Sequence, residues 1–358
     1  MFPLLVSTLG LSYAQVGLAA AVYAIASSVL QPILGYLGDR LVSRWLQTAS
    51  MALVICLICL VGFARDYLSL LLIVALAGVG SAAFHPQAAS RIGLLTDTSR
   101  SFSLSIFAFG GYLGHAFGPV LSSNLLDRGG LSSIALLMPV GLAATAYVGW
   151  SLGNTGLTED RVHRSSLEGN PASIPFLLIS ILLLVTILLS WLQNTLLVYT
   201  PLLFTDLTFS GQLLFLLSLG SALGGLLGGV FCGRLGSTPI ITGSLLLSAP
   251  SILLFINGSG WSAVAAAVAV GALTGASFPI MVAMSQDYLP HHEGVGSGLS
   301  MGLAWGIGSL GTLALGAAAD TYGLETVLGS LPVVAVLAAL IALRLPQARR
   351  TSLKKSGV

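Results

Sequence analysis

The chain has 358 residues, of which 55% are hydrophobic and 7% are Asp, Glu, Lys or Arg; the mean hydropathy is +0.96 and the formal net charge +2. A soluble domain carries about 25% charged residues, so a water-soluble protein is excluded, and neither a nucleic-acid surface nor an aqueous enzyme cleft is expected. With so small a net charge, the placement of the few charged residues carries the functional information.

A helix that crosses the hydrocarbon core needs about 20 mostly apolar residues, and Gly, Pro and charged residues punctuate this sequence on that scale. Residues 1–9 (MFPLLVSTL) are too short to span, and they lack the basic start of a secretory signal. Full spans are predicted at 13–37, 46–64, 67–93, 101–126 and 131–152. The polar stretch 153–173 reads as a flexible linker. Further spans follow at 174–204, 210–235, 238–257, 261–288, 294–319 and 325–345, and residues 346–358 form a basic tail. The expectation is an all-α membrane protein with eleven full spans, an N-terminal bundle over 1–152 and a C-terminal bundle over 174–345.

The two bundles repeat. GYLGDRLVSR from Gly35 stands 194 residues before GVFCGRLGST from Gly229, which sets Arg40 opposite Arg234. The same spacing sets Phe84 opposite Phe278, and a spacing of 193 sets Asp127 opposite Asp320. Glycine matches carry little weight in a chain with 43 glycines, but charged residues are rare here. PLLVSTLGLS from Pro3 also matches PLLFTDLTFS from Pro201, which closes the seventh helix of a twelve-helix count. Residues 1–9 are therefore expected to be the outer tail of a first helix whose preceding residues, about 20–25 of them, are missing. A misassigned start codon and a natural eleven-helix protein both account for this. A duplicated bundle is how many secondary transporters place a substrate site between two rocking halves.

Lysines and arginines in short loops set orientation. Arg40, Arg44, Arg91, Arg100, Arg161, Arg164, Arg234 and the tail fall on one side of the alternating spans, and only Arg65 and Arg128 fall on the other. The first side is expected to be cytoplasmic, together with the C-terminus. Cys56 and Cys59 have a CxxC spacing, but their run (MALVICLICLVGF) offers none of the polar partners a metal or redox site needs. No cofactor is expected. An enzyme needs clustered acid–base or metal ligands at a membrane face, and the one local cluster, His291-His292-Glu293, lacks helical ligand spacing, so no catalysis is expected.

In the first cytoplasmic loop, Gly35 and Gly38 allow a neighbouring helix to approach closely. Asp39 falls beside the positive start of the helix that begins near Glu293–Gly296, where an anion is favoured. Asp39, with Arg40 and Arg44, is expected to latch the two sequence halves on the cytoplasmic side and so stabilise an outward-facing state. Ordinary loop charges that fix topology are the alternative.

The segment Gly35-x-x-x-Asp39-Arg40 with Arg44 is similar to the loop motif of the major facilitator superfamily, the twelve-helix secondary transporters, although Val42 and Ser43 occupy the stretch where a further glycine is expected. GVGSAAFHPQAASRIG (78–93) followed by SIFAFGGYLGHAFGPVL (105–121) resembles the fosmidomycin-resistance branch of that superfamily, whose members are described as drug exporters. The Phe84-His85-Pro86 triplet is the most specific piece. The resemblance implies the major facilitator fold, two pseudo-symmetric six-helix bundles, and export of a drug-like small molecule such as fosmidomycin by alternating access with proton exchange. It also implies a multi-pass protein of the inner membrane acting as a monomer. Gly118-Pro119 matches the Gly-Pro of proton-antiporting relatives in the fifth helix, whereas Ser122 and Ser123 replace paired glycines and Val74 stands near a common fourth-helix arginine.

Intramembrane ionisable groups are functional candidates by default, and no Asp or Glu lies mid-span. His115 and His85 remain, each able to change charge in the physiological range; a hydrogen-bonded packing role for His115 and a helix-breaking role for His85, before Pro86, are the alternatives. Gly110, Gly111, Gly114, Gly118, Pro119, Pro86 and Pro279 are expected to allow close packing and bending of the moving helices. Polar or aromatic residues in apolar spans mark the substrate cavity: Gln31, Tyr112, Asn124, Trp191, Gln193, Asn194, Gln286 and Trp305. Arg91 is placed to guide an anion at the cytoplasmic mouth or to anchor topology. A transporter of a small metabolite in either direction, and a non-transporting remnant, remain alternative readings.

Overall fold

The computed structural model describes residues 5, 8–11, 13–40, 44–95, 100–154, 175–204 and 206–347. Among them all regular structure is helical. The helices are α1 (Tyr13–Val29), α2 (Gln31–Arg40), α3 (Arg44–Leu60), α4 (Tyr67–Leu95), α5 (Arg100–Gly129) and α6 (Met138–Asn154). They continue as α7 (Phe176–Leu203), α8 (Leu207–Leu235), α9 (Ser237–Asn257), α10 (Trp261–Tyr288), α11 (Glu293–Ser297), α12 (Ala304–Tyr322), α13 (Leu324–Leu328) and α14 (Leu331–Ala342). A wide π-helical turn, Gly298–Leu303, joins α11 to α12. Eleven helical stretches of the described residues are long and apolar enough to cross a membrane, the number predicted from sequence. The linker beyond Asn154 and the tail beyond 347 lie outside the described residues.

The first span departs from its prediction. Residues 13–37 read as one helix, but the chain breaks at Leu30 and restarts as α2. Pro32 stands in the first turn of α2, where its missing N–H has no intrahelical partner to lose, and the Leu34 N–H donates to the Leu30 carbonyl at 2.9 Å. Pro86 and Pro279, by contrast, lie within unbroken helices. Each removes one N–H from the ladder.

The chain folds as two compact units. The first comprises Met1–Arg91, Phe117–Ile174 and Ser285–Gly306, so the turn from α10 through the π turn belongs with elements of the N-terminal half. Its packing rests on small residues. Gly141 leaves room for Ile55, Gly149 for Thr48, and Gly62 for the Leu131 carbonyl. At one end, Leu5, Leu11, Val61, Leu70, Leu126 and Ile134 form a buried apolar cluster. Asp66 caps α4: its Oδ1 accepts from the Ser69 N–H at 2.7 Å, while Ser69 Oγ accepts from the Arg65 and Asp66 N–H groups at 3.2 Å. These bonds hold the exposed Asp66 carboxyl below the usual carboxylate range. The cap therefore persists through neutral pH and is lost as pH falls through that lowered value.

The second unit comprises Ile92–Ala116, Pro175–Met284 and Ile307–Val358. Helices α8 and α10 interlock through glycine. A Cβ at Gly220 would lie 2.6 Å from the Val268 carbonyl, one at Gly224 would overlap the Ala272 carbonyl, and one at Gly228 would overlap the Ala276 carbonyl; in return Gly271 and Gly275 admit the Leu217 and Ser221 carbonyls. The same register recurs in the first unit, where a Cβ at Gly78 would meet Ala26 Cβ at 2.7 Å. Gly78 and Ala272 are 194 residues apart, as are Ala26 and Gly220. The internal repeat thus extends from the motifs to the helix-to-helix contact.

Candidate functional site

In the first unit, Asp39 ends α2 beside the start of α11. Its Oδ1 accepts from the Gly294 N–H at 2.8 Å and its Oδ2 from the Val295 N–H at 3.2 Å. One carboxylate therefore satisfies two donors that a helix start leaves without intrahelical partners, and its charge matches the positive end of the helix. The approach requires glycine on both sides: a Cβ at Gly35 would overlap the Gly294 carbonyl, and one at Gly294 would stand 2.6 Å from Asp39 Oδ1. Arg40 lies over the Tyr36 ring, 4.5 Å from its centroid, and the same ring stands 6.2 Å from that of His292. The Arg44 side chain lies outside the described atoms.

Further into the same unit, Gln31 packs against the π turn. Gly298 faces its main chain and Gly302 its side chain, and Gln31 Oε1 is buried without a hydrogen-bond partner. Gln286 Nε2 donates to Ser297 Oγ at 2.7 Å, and Ser285 Oγ donates to the Gly296 carbonyl at 2.9 Å. Gly35→Ala is expected to separate α2 from α11 and lengthen both bonds to Asp39. The expected loss is about 1 kcal/mol, a fall of about fivefold in the equilibrium population of the bonded arrangement. Thermal unfolding in detergent, compared between Gly35→Ala and the parent, checks this.

The second unit carries an uncharged polar seam between α7 and α12. Asn194 Nδ2 donates to Ser309 Oγ at 3.1 Å, Thr195 and Thr312 share a hydroxyl–hydroxyl bond of 3.0 Å, and Tyr199 OH donates to the Thr312 carbonyl at 3.2 Å. The Trp191 indole lies against Gly311, where an added Cβ would meet it at 2.7 Å. Trp191 Nε1, Ser190 Oγ and Gln193 Oε1 are buried without partners. Gln193 Nε2 reaches the Tyr112 hydroxyl of α5 at 3.4 Å, and the Tyr112 and His115 rings meet edge to face at 6.5 Å.

His115 is exposed, and the glycines around it explain why. A Cβ at Gly110, Gly111, Gly114 or Gly118 would meet nothing within 4 Å. The sequence pattern led us to expect these residues to bring a neighbour close; here they leave open space along α5 instead, and the close approaches fall on α8 and α10. His85 is half-buried in α4 with its ring edge-on to Phe84 at 5.4 Å, and Arg91 and Trp305 are each engaged by neighbouring groups. The side chains of Asn124 and Pro119 lie outside the described atoms.

The structure thus brings Tyr112, His115, Trp191, Gln193 and Asn194 into one unit and Gln31, Gly35, Asp39 and Arg40 into the other. Sequence reasoning missed Tyr199, Ser309 and Thr312. Their signal was available as a stripe: polar residues at 194, 195 and 199 answer 309 and 312 at helical spacing. Among the described residues no group of three His, Cys, Asp or Glu is placed to hold a metal ion.

A profile of the Major Facilitator Superfamily matches residues 1–308 and 179–357. The chain is 29% identical over 338 residues to the fosmidomycin resistance protein of Escherichia coli (strain K12), covering 91% of this chain and 83% of that protein. It is 27% identical over 356 residues to an uncharacterised MFS-type transporter, YfnC, of Bacillus subtilis (strain 168), covering 95% and 87%. Among solved structures, the Escherichia coli fucose:proton symporter FucP matches with a TM-score of 0.73 at 15% identity, covering 94% of this chain and 92% of that one. The human organic anion transporter MFSD10 (TETRAN) matches with a TM-score of 0.74 at 16% identity, covering 91% and 83%. At such identities the structural matches establish the fold.

Proposed function

The chain belongs to the Major Facilitator Superfamily of multi-pass membrane transporters, and from that premise we propose that it is a secondary active exporter of a drug-like small molecule, fosmidomycin or a compound like it, exchanged for protons across the inner membrane. The observation that carries the mechanism is the paired bond from Asp39 to the Gly294 and Val295 N–H groups. It ties an element of the N-terminal sequence half to one of the C-terminal half, so it must break when the two halves rock apart on the cytoplasmic side. The substrate reading rests on similarity to the fosmidomycin resistance protein over 91% of the chain.

In this reading 1–152 and 174–345 are the rocking halves, the C-terminus is cytoplasmic, and the protein works as a monomer. Arg40 braces the latch through Tyr36. Tyr112, Trp191, Gln193 and Asn194 contact the substrate, and His115, exposed beside its glycines, exchanges the proton. His85, Arg91, Gln31 and Trp305 support that path. A small metabolite, moved in either direction, is a second reading, consistent with a seam in which Asn194, Thr195, Ser309 and Thr312 pair hydroxyls and one amide with each other and carry no charge.

The test is the inhibitory concentration of fosmidomycin for a sensitive host that lacks its own exporter and carries this chain. Protection of about tenfold is expected, the effect of lowering internal drug by that factor, about 1.4 kcal/mol of gradient. His115→Gln is expected to remove the dependence of export on the proton gradient in inverted vesicles. No protection at confirmed membrane abundance would remove fosmidomycin as the substrate, and proton-driven export by His115→Gln would remove His115 as the carrier.

A further inference from the structure

The break between α1 and α2 leaves acceptors without donors. The last carbonyls of a helix have no intrahelical partner, and Pro32 brings no N–H to the carbonyl of Ser28, four residues before it. Gln31 opens α2 and is 5% exposed, and its Oε1 is buried without a hydrogen-bond partner. Ser28 is 7% exposed. One short, buried stretch thus carries two oxygen acceptors that neither helix satisfies.

The wall opposite is bare of side chains. Gly298, Gly302 and Gly306 stand four residues apart in the π turn and α12. A Cβ added at Gly298 would meet the Gln31 main chain at 2.6 Å, and one at Gly302 would meet the Gln31 side chain at 2.5 to 2.8 Å. One at Gly306 would meet Ser28 Cβ at 2.9 Å and its Oγ at 3.3 Å. All of these residues belong to the first unit. Neither 13–38 nor 294–319 holds an Asp or Glu, and Asp39, at the far end of α2, is engaged by the Gly294 and Val295 N–H groups. The glycine stripe therefore closes over a neutral, oxygen-rich joint.

We propose that this joint is a hydrated hinge that binds one water molecule, which donates one hydrogen to Gln31 Oε1 and the other to the Ser28 carbonyl and accepts from the Ser28 hydroxyl. A buried water makes about three hydrogen bonds to groups otherwise unsatisfied, and the joint offers that number. A cation is disfavoured, because no carboxylate offsets its charge and neutral oxygens alone do not repay the loss of its hydration. Water inserted in a helical ladder permits a bend there, so α1 can swing on α2 while the Ser28 carbonyl keeps a partner. The water site stands on the geometry of the first unit; its use as a hinge rests on the reading that the two halves rock.

The experiment is thermal unfolding of the whole protein in detergent for the parent, Gln31→Leu, Pro32→Ala and the double variant. Gln31→Leu is expected to lower Tm by about 2 °C, since the water loses a holder and the Ser28 carbonyl loses its donor. An acceptor with no water on it would give the opposite sign, because an apolar group of similar size is then the better occupant. Pro32→Ala supplies the missing N–H to Ser28 and is expected to raise Tm more in the Gln31→Leu background than in the parent. A Tm for Gln31→Leu at or above that of the parent, or an equal shift from Pro32→Ala in both backgrounds, would overturn the water. A parent Tm that rises with sodium chloride and not with choline chloride would assign the joint to an alkali cation and overturn it likewise. Flux at equal membrane abundance tests the hinge: Pro32→Ala is expected to lower the maximal rate about fivefold, about 1 kcal/mol of barrier, with KM unchanged. An unchanged rate in Pro32→Ala, where Asp39→Asn is slowed, would overturn the hinge alone. Absence of flux in the parent would instead tell against the transport reading, and the thermal cycle would still decide the water.

Discussion

Asp39→Asn is expected to reduce transport by about tenfold or more while leaving the thermal stability of the protein near that of the parent. The two oxygens of the carboxylate each accept one N–H, from Gly294 and Val295. In asparagine one of those oxygens becomes an NH₂ group, so a donor faces a donor, and the charge that favours the helix start is lost as well. Hydrogen bonds to a charged group contribute about 1.5–3 kcal/mol. If about 2 kcal/mol of that separates the joined from the parted arrangement, the equilibrium shifts about thirtyfold. The cycle then stalls because one of its two states is under-populated, not because the protein unfolds. Distances between spin labels on the two sequence halves at the Asp39 end, measured in the parent and in Asp39→Asn, check the cause; an unchanged distance distribution alongside normal flux would reduce Asp39 to a topological charge. Asp39→Glu is expected to fail too, since its longer side chain does not fit the gap set by Gly35 and Gly294.

The second large effect is on stability. Gly224→Val is expected to prevent α8 from seating on α10, because even the first carbon of the new side chain would overlap the Ala272 carbonyl. A main-chain atom has no rotamer to yield, so the helices must separate, and Gly220 and Gly228, on the same stripe, are pulled from their partners as well. Forcing extra atoms into a packed helix pair costs about 1–3 kcal/mol, and parting the whole stripe at once exceeds that range. Thermal unfolding in detergent is expected to fall by several degrees for Gly224→Ala, and Gly224→Val is expected to reach the membrane in greatly reduced amount. Gly233→Ala and Gly243→Ala are the controls, since a Cβ at either meets nothing within 4 Å. A Tm for Gly224→Ala equal to those of the controls would contradict the interlock.

What the sequence made legible has a physical reason in each case. Eleven spans could be read because hydropathy over about 20 residues is set by the bilayer rather than by packing. The contact of Asp39 with the start of α11 could be read because an intramembrane protein has few places for a carboxylate, and a helix start is one of them. The break at Leu30 was harder to see: Pro32 gave a warning, but proline also stands inside unbroken α4 and α10. The surroundings of the α5 glycines were misjudged because small residues can either admit a neighbour or leave open space, and the pattern along one helix is the same for both. Likewise Ser309 and Thr312 became visible only once α12 was seen to face α7, for hydroxyl residues are common in spans and each can satisfy itself on its own helix. Apart from the Asp39 contact, the grouping of residues 285–306 with the N-terminal elements has no local signature, since it depends on partners more than 200 residues away in sequence.

The π-helical turn at Gly298–Leu303 bears on the history of the chain. Such a turn holds one residue more than an α-helix of the same span, which is the form an inserted residue takes when the helix absorbs it locally and the residues beyond keep their faces. Deleting one residue within 298–303 should then leave an ordinary α-helix through that stretch, at the cost of moving Gly298 or Gly302 off Gln31. Homologous chains one residue shorter here would retain the same pattern of inward and outward positions on either side, and an alignment gap at this point would be the trace of an insertion that widened a turn.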